Sequence, residues 1–281
     1  EILKRGYFMK KFLVTCFILS IAMPCLAATV GGPDISIPEG SLYLKQKAVN
    51  ETLDRYEYNW NIKTGVDIEV ITSRKLHTSS EVTNAKIEGQ NAVLKLSTNF
   101  SDAFEPYIKV GTCNLKVKWE QNGNGVTMET EPGLVWGGGA KLKLWESEDY
   151  KIKLTLDAQY RKIDAGVDMI STSSATGDSF EIDEWQASLI ASKKYIFPMG
   201  LRDYYIVPYG GLTYYRTDVD VSFSQSTTGL LYSTYNANDN REIGIVMGLD
   251  IMPSLLSWYL FNFEMRLVNE TAFTLGGTLK F

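Results

Sequence analysis

Groups able to do covalent or metal chemistry are scarce in this sequence. Its one histidine is His77, and its three cysteines, Cys16, Cys25 and Cys113, are scattered. A zinc site of the usual kind needs several histidine and cysteine ligands converging, and a histidine-dependent triad would have to use His77. No Asp-x-Asp-x-Asp-Gly run marks a calcium loop. What does recur at a suggestive spacing is lysine. Lys141 and Lys143 precede Lys151 and Lys153 across a short Ser147-Glu148 turn. At the two-residue period of a strand each pair shares a face, so one hairpin would carry four ammonium groups able to attract anions. We expect no catalytic residue, no metal ligand and no cofactor, and look for function in arrays of charge and in loops.

The elements that position those charges follow from composition and pattern. The chain has 281 residues with 28 Lys+Arg, 33 Asp+Glu, a net charge of -5, and 12% aromatic residues. The negative balance excludes an ordinary nucleic-acid binder, and 16 Tyr, 12 Phe and 6 Trp exclude a disordered chain. From Met9 the sequence reads Met-Lys-Lys, then an apolar stretch from Phe12 to Met23, then Pro24-Cys25-Leu26-Ala27-Ala28. That is the layout of a secretory signal over 9–27, cleaved between Ala27 and Ala28, with 1–8 as extra upstream sequence. Cys25 would suit a lipid-modified terminus, but Pro24 stands where a lipobox has a small residue. Removal of 1–27 takes away Lys4, Arg5, Lys10, Lys11 and Glu1, leaving 24 basic against 32 acidic residues, a net of -8. Cys113 is then the one remaining cysteine, so no intramolecular disulfide can form.

Beyond the signal no apolar run approaches the ~18 residues of a membrane helix. Strict alternation recurs instead. Over 150–161 the even positions are Tyr150, Ile152, Leu154, Leu156, Ala158 and Tyr160, and the odd ones Lys151, Lys153, Thr155, Asp157, Gln159 and Arg161. One face is apolar and the other charged. The pattern predicts ten strands at about 62–77, 82–100, 104–120, 132–146, 149–165, 182–197, 203–223, 241–252, 257–268 and 271–281. Two of them change register near 111–114 and 216–218, as bulges or as strands leaving a bilayer. Short connections alternate with long ones at 121–131, 166–181 and 224–240. Phe104, Tyr107, Trp145, Tyr150, Phe197, Tyr204, Trp258, Tyr259 and Phe281 fall near the short-turn end, and Trp136, Tyr160, Trp185 and Phe273 eight to ten residues along their strands. Two aromatic belts at that separation fit the two interfaces of a bilayer.

Alternation alone also fits a soluble exported β-domain with its apolar face turned inward. The belts, the unequal loops and the chain's end favour the membrane. Thr271 to Phe281, with Phe273, Leu275, Leu279 and the terminal aromatic Phe281 alternating, resembles the C-terminal insertion signal of bacterial outer-membrane β-barrel proteins, departing from it at Gly277. Val93 to Gly111 and Val207 to Tyr214 are similar to strand segments of small outer-membrane barrels. The resemblance implies an all-β, antiparallel up-and-down transmembrane β-barrel over 61–281 with about ten strands, eight and twelve being the alternatives. It further implies insertion by the barrel assembly machinery into the outer membrane of a diderm bacterium. Membrane lipid and lipopolysaccharide would surround a monomer.

Residues 28–60 would precede the first strand as a periplasmic segment, either a tail or an inward plug. With apolar faces on lipid, Lys95, Lys141, Lys143, Lys151, Lys153, Arg161 and Arg266 share the interior with Asp67, Glu69, Asp157, Asp250 and Glu264. One reading is a side-chain-filled lumen of paired charges in a structural or surface-interaction protein. The other is a narrow anion-preferring, porin-like channel. Ten strands is also the count of omptin proteases, whose resemblance implies a rim histidine with acidic partners. His77, followed by Thr78, Ser79, Ser80 and Glu81, would stand there, but no other omptin motif is present, and an enzyme is not expected. The loops 168–179 and 224–240, the latter with Leu230, Leu231, Tyr232 and Tyr235, could meet an extracellular ligand or surface polymer.

Overall fold

The computed structural model describes residues 29–38, 60–76, 82–100, 102–121, 123–171, 173–174, 178–199, 202–222, 235–238, 242–254, 257–268 and 270–281. Ten antiparallel strands close into a ring. They are β1 (Trp60–Lys75), β2 (Val82–Phe100), β3 (Phe104–Gln121), β4 (Gly133–Ser147), β5 (Ile152–Ile170), β6 (Ser179–Lys193), β7 (Arg202–Ser222), β8 (Glu242–Met252), β9 (Tyr259–Leu267) and β10 (Glu270–Lys280). Each pairs with its neighbours in sequence, and β10 returns to β1 in a register running from Lys63 opposite Lys280 to Arg74 opposite Glu270. Closure leaves no edge among the ten, which is the condition for a sheet to cross lipid. The all-β barrel of ten strands read from the alternation is the fold observed.

The apolar faces point outward, which sets aside the soluble alternative. Ile62, Val66 and Ile68 on β1, Leu94 and Leu96 on β2, Leu212 on β7 and Phe261 and Phe263 on β9 are all exposed, while Lys63, Asp67, Glu69, Asn262 and Glu264 on the alternate positions are buried. Trp136, Tyr160 and Trp185 form a row on the exterior of β4, β5 and β6, the first pair edge-on and the second tilted, with centroids 5.9 and 4.9 Å apart. Tyr107 is a correction to the expected belt. It points inward, and its hydroxyl donates to Asp157 at 3.0 Å.

Strand length divides the ring. Strands β8, β9 and β10 have 11, 9 and 11 residues, about what a tilted strand needs to cross a bilayer. Strands β5 and β7 have 19 and 21, and continue past it. Segment 121–131, expected as a long loop, is a correction of the same kind. Residues Asn124–Thr130 form a strand that pairs with Lys116 to Gln121 of β3 and with the end of β5, so the sheet continues above the membrane. The register changes expected near 111–114 and 216–218 are not bulges. Pairing runs unbroken through both, and bulges lie instead near Thr72, after Thr83, at Glu129/Thr130 and between Lys143 and Trp145.

What changes at those points is the environment. Along β5 the outward series Tyr160, Lys162, Asp164 turns polar as the inward series Gln159, Arg161, Ile163, Val167 turns apolar. On β6 Trp185 outward gives way to Asp183 and Glu181, while Glu184 inward gives way to Ile182 and Phe180. Ile163, Ile182 and Val219 stand at one level by register. With Ile71, Ile87, Leu115, Val117, Met128, Ile170 and Phe180 they form an apolar core inside the upper barrel.

Candidate functional site

The lower lumen is lined by residues that alternation sends inward: Lys63, Asp67 and Glu69 from β1, Glu105 and Lys109 from β3, Lys141 from β4, Asp157 and Arg161 from β5, Asp250 from β8, Glu264 and Arg266 from β9. Each is buried, and a buried charge is tolerable only with partners. At the top of this region the partners are one another. Arg161 bridges Glu69 at 3.2 Å and Glu184 at 3.0 Å, and Arg74 meets Glu184 at 2.5 Å and Glu270 at 3.7 Å. Arg266 lies 3.3 Å from Glu270, 3.6 Å from Glu69 and 3.7 Å from Glu264. This network forms a roof beneath the apolar core.

Below the roof the partners are supplied by the chain's own residues 29–38, which run through the lumen from the level of Glu69 toward the short-turn end. Thr29 donates its amide and its hydroxyl to Glu69. The amides of Val30 and Gly31 donate to the two carboxylate oxygens of Glu264 at 3.1 and 3.0 Å. In the other direction Lys109 donates to the Thr29 carbonyl, Lys141 to the carbonyls of Gly31 at 3.3 Å and Gly32 at 2.6 Å, and Lys63 to that of Ile35 at 2.6 Å. Asn99 also donates to the Ile35 carbonyl, at 3.2 Å.

Beyond the Thr29 hydroxyl, further side chains of the segment are anchored. Val30 packs with Ile190, Tyr209 and Val246, and Ile37 with Tyr205, Val207, Met252 and Leu260. Asp34 accepts from Lys153 at 2.7 Å and from the Ser36 hydroxyl at 2.6 Å. Burial would raise the Asp34 carboxyl, but Lys153 and Ser36 outweigh it and hold it below the usual carboxylate range. Gly31 has a φ of +65°, a conformation that favours glycine. A Cβ on Gly32 would press on the Asp250 carboxylate, with Oδ1 at 3.0 Å. The Asp250 Oδ1 atom is held by Asn262 at 2.6 Å, and its Oδ2 has no hydrogen-bond partner among the described residues.

The sequence-predicted lumen cluster is therefore divided. Lys141, Asp157, Arg161, Asp250, Glu264 and Arg266 are buried inside, and Lys95 is partly buried and pairs with Glu105 at 3.2 Å. Lys153 faces Asp34. Lys143 and Lys151 do not join them. Lys143 keeps the regular register opposite Thr155 but is partly exposed and paired with Glu146 at 2.7 Å, and Lys151 stands exposed in the turn with a φ of 54°. The expected four-lysine array is thus split between the lumen and the surface. Phe273, Leu275 and Leu279 face outward along β10, with Phe281 tied to β1 through its amide and the Ile62 carbonyl at 2.9 Å. Ala27, Ala28 and His77 lie outside the described residues. Alternation sends Lys63 inward with Asp67 and Glu69, although it was not counted in the charge cluster; Glu105, Lys109, Arg74, Glu184 and Glu270 were missed as members of the interior network. Glu184 shares the inward parity of Gln186 and Ser188, which was the available signal, whereas the register change expected on the strand of Glu105 and Lys109 hid theirs.

A closed antiparallel ring with an apolar exterior and a charged interior defines a membrane-spanning β-barrel. The family model for the outer membrane protein beta-barrel domain matches residues 55–192, from just before β1 to the end of β6, and the protein is an outer-membrane β-barrel. No curated protein sequence matches the chain. Similar solved structures include the translocator domain of the autotransporter NalP from Neisseria meningitidis, 12% identical over 83% of this chain and 92% of that one, with a TM-score of 0.39. The transport unit of the autotransporter AIDA-I from Escherichia coli is 14% identical over 89% of this chain and 96% of that one, with a TM-score of 0.26. The toluene transporter TbuX of Ralstonia pickettii is 9% identical over 80% of this chain and 89% of that one, with a TM-score of 0.25.

Proposed function

We propose that this outer-membrane barrel is closed and non-catalytic, with a structural or surface-interaction role. The observation that carries the reading is the sequence of fillings along its axis: residues 29–38, the Arg and Glu roof, and the apolar core above it. Water crosses a barrel only along a continuous polar path, and packed apolar side chains interrupt one. The long strands then serve to lift a folded, charged collar above the lipid, where an extracellular ligand or surface polymer can meet it. Lipopolysaccharide around the apolar girdle, the assembly machinery at the Phe281 strand and a monomeric state complete the proposal.

Single-channel recording on the refolded mature chain in a planar bilayer tests it, with heat-modifiable gel migration as the folding control. The expected result is a folded barrel without steady current. A steady anion-selective current lost on Lys141/Lys143/Lys151/Lys153→Glu would establish the channel instead.

A further inference from the structure

Residues 29–38 are gripped chiefly through their main chain. Glu69 and Glu264 take three consecutive amides, and Lys109, Lys141 and Lys63 take carbonyls of Thr29, Gly31, Gly32 and Ile35. Such contacts recognise any extended chain of the right shape, because every residue other than proline offers the same donor and acceptor. Selectivity comes from the few positions where side chains matter. Gly31 favours its positive φ, a Cβ on Gly32 would have to push the Asp250 carboxylate aside, Asp34 sits on Lys153, and Val30 and Ile37 fill apolar niches. Every one of these partners belongs to the ring, so the lower lumen is a built site in its own right.

We propose that the lower lumen is a receptor for an extended peptide with an apolar-Gly-Gly-x-Asp core and a second apolar residue three positions after the Asp, and that residues 29–38 are its resident, exchangeable occupant. The ligand class is a peptide entering from the short-turn, periplasmic end, with its main chain read by two carboxylates and three ammonium groups. Its own segment occupies the site by being tethered, which raises its local concentration. A free peptide of the same pattern competes for the same atoms. The inference rests on the closed lumen proposed above, yet peptide exchange and conductance are separate measurements, and either can fail alone.

The test uses the mature barrel lacking residues 29–38, refolded in lipid vesicles, titrated with a fluorescent synthetic peptide of the sequence Thr29 to Pro38. Saturable one-to-one binding is expected. A Gly32→Val peptide, or Lys141→Met in the barrel, should weaken it roughly tenfold or more, as overpacking and a lost charge-assisted bond each do. A folded barrel that ignores the peptide, or binds the Gly32→Val peptide equally well, overturns the proposal. Should the shortened chain not fold, the full mature chain carrying Ser36→Cys on a Cys113→Ser background replaces it. Maleimide labelling of Ser36→Cys is expected to be slow and to accelerate when excess free peptide displaces the segment. Labelling as fast as in the unfolded chain, or indifferent to peptide, also overturns it.

Discussion

The lower and upper halves of this barrel are built from the same strands with opposite polarity. Within the membrane, Thr213 of β7 faces inward and Leu212 outward; a few residues on, Val219 faces inward and Asp218 and Asp220 outward. The backbone passes from one half to the other without a break in register. The pleat fixes only that neighbours point to opposite sides, and the solvent on each side decides which residues belong there. Lipid outside calls for apolar residues outside and paired charge within. Water outside reverses both, and the upper barrel packs as a soluble β-domain does. The lesson is that one sheet can satisfy two solvents if the sequence exchanges its two faces at the interface.

Substitutions at matched positions in the two halves test how each is held. The largest effect is expected from Phe180→Ala in the upper core, where a buried aromatic is lost. It should destabilise the barrel by about 3–5 kcal/mol, read from denaturant unfolding in lipid by heat-modifiable migration. Leu212→Arg on the lipid face should cost about 2–4 kcal/mol in the same assay, as a cation near the bilayer midplane does. A negligible effect there would mean that Leu212 does not face lipid. Asp34→Asn removes the charge-assisted bond to Lys153 and should weaken the hold on residues 29–38 by about 1.5–3 kcal/mol. The sign with pH follows from the lowered Asp34 carboxyl. Its contribution is full above the ordinary aspartate value of about 4 and is lost as the pH falls through the lower value of the folded protein. Amide hydrogen exchange over residues 29–38, taken relative to the unfolded chain at the same pH, should therefore quicken under strong acid, and Asp34→Asn should lessen that dependence. The smallest effect belongs to Asp220→Asn on the outer face of the upper half, within about 0.5 kcal/mol. A large loss there would reveal a specific contact on the collar.

Much of the lower half was legible because lipid imposes a simple code. The inward parity of Lys63, Asp67 and Glu69 and the outward parity of Tyr259, Phe261 and Phe263 follow from alternation alone. The upper half was harder, since the exchange of faces at Arg161/Lys162 and Thr217/Asp218 produces the same sequence signal as a one-residue slip. Only the partner strands distinguish the two. Lys143 was misplaced because it pairs with Glu146 rather than with the lumen charges, and Lys151 because it is a left-handed turn residue, and neither leaves a mark on the polar pattern. The segment 29–38 was least legible. It is held by main-chain groups, and its Gly-Gly-Pro run has no periodicity to read.

The ring is joined by its two extreme strands. β1 pairs with β10, the strand of the ring farthest from it in sequence, so the first strand's hydrogen bonds wait on the tenth. Assembly is consequently a matter of topology before energy: the contact of greatest sequence separation must form before any strand set is free of edges. A chain lacking β10 cannot relax into a smaller version of itself. Without β10, β1 and β9 would each present a row of unpaired amides and carbonyls to hydrocarbon, at several kcal/mol per group, and the product would be an open ribbon with no place in a membrane.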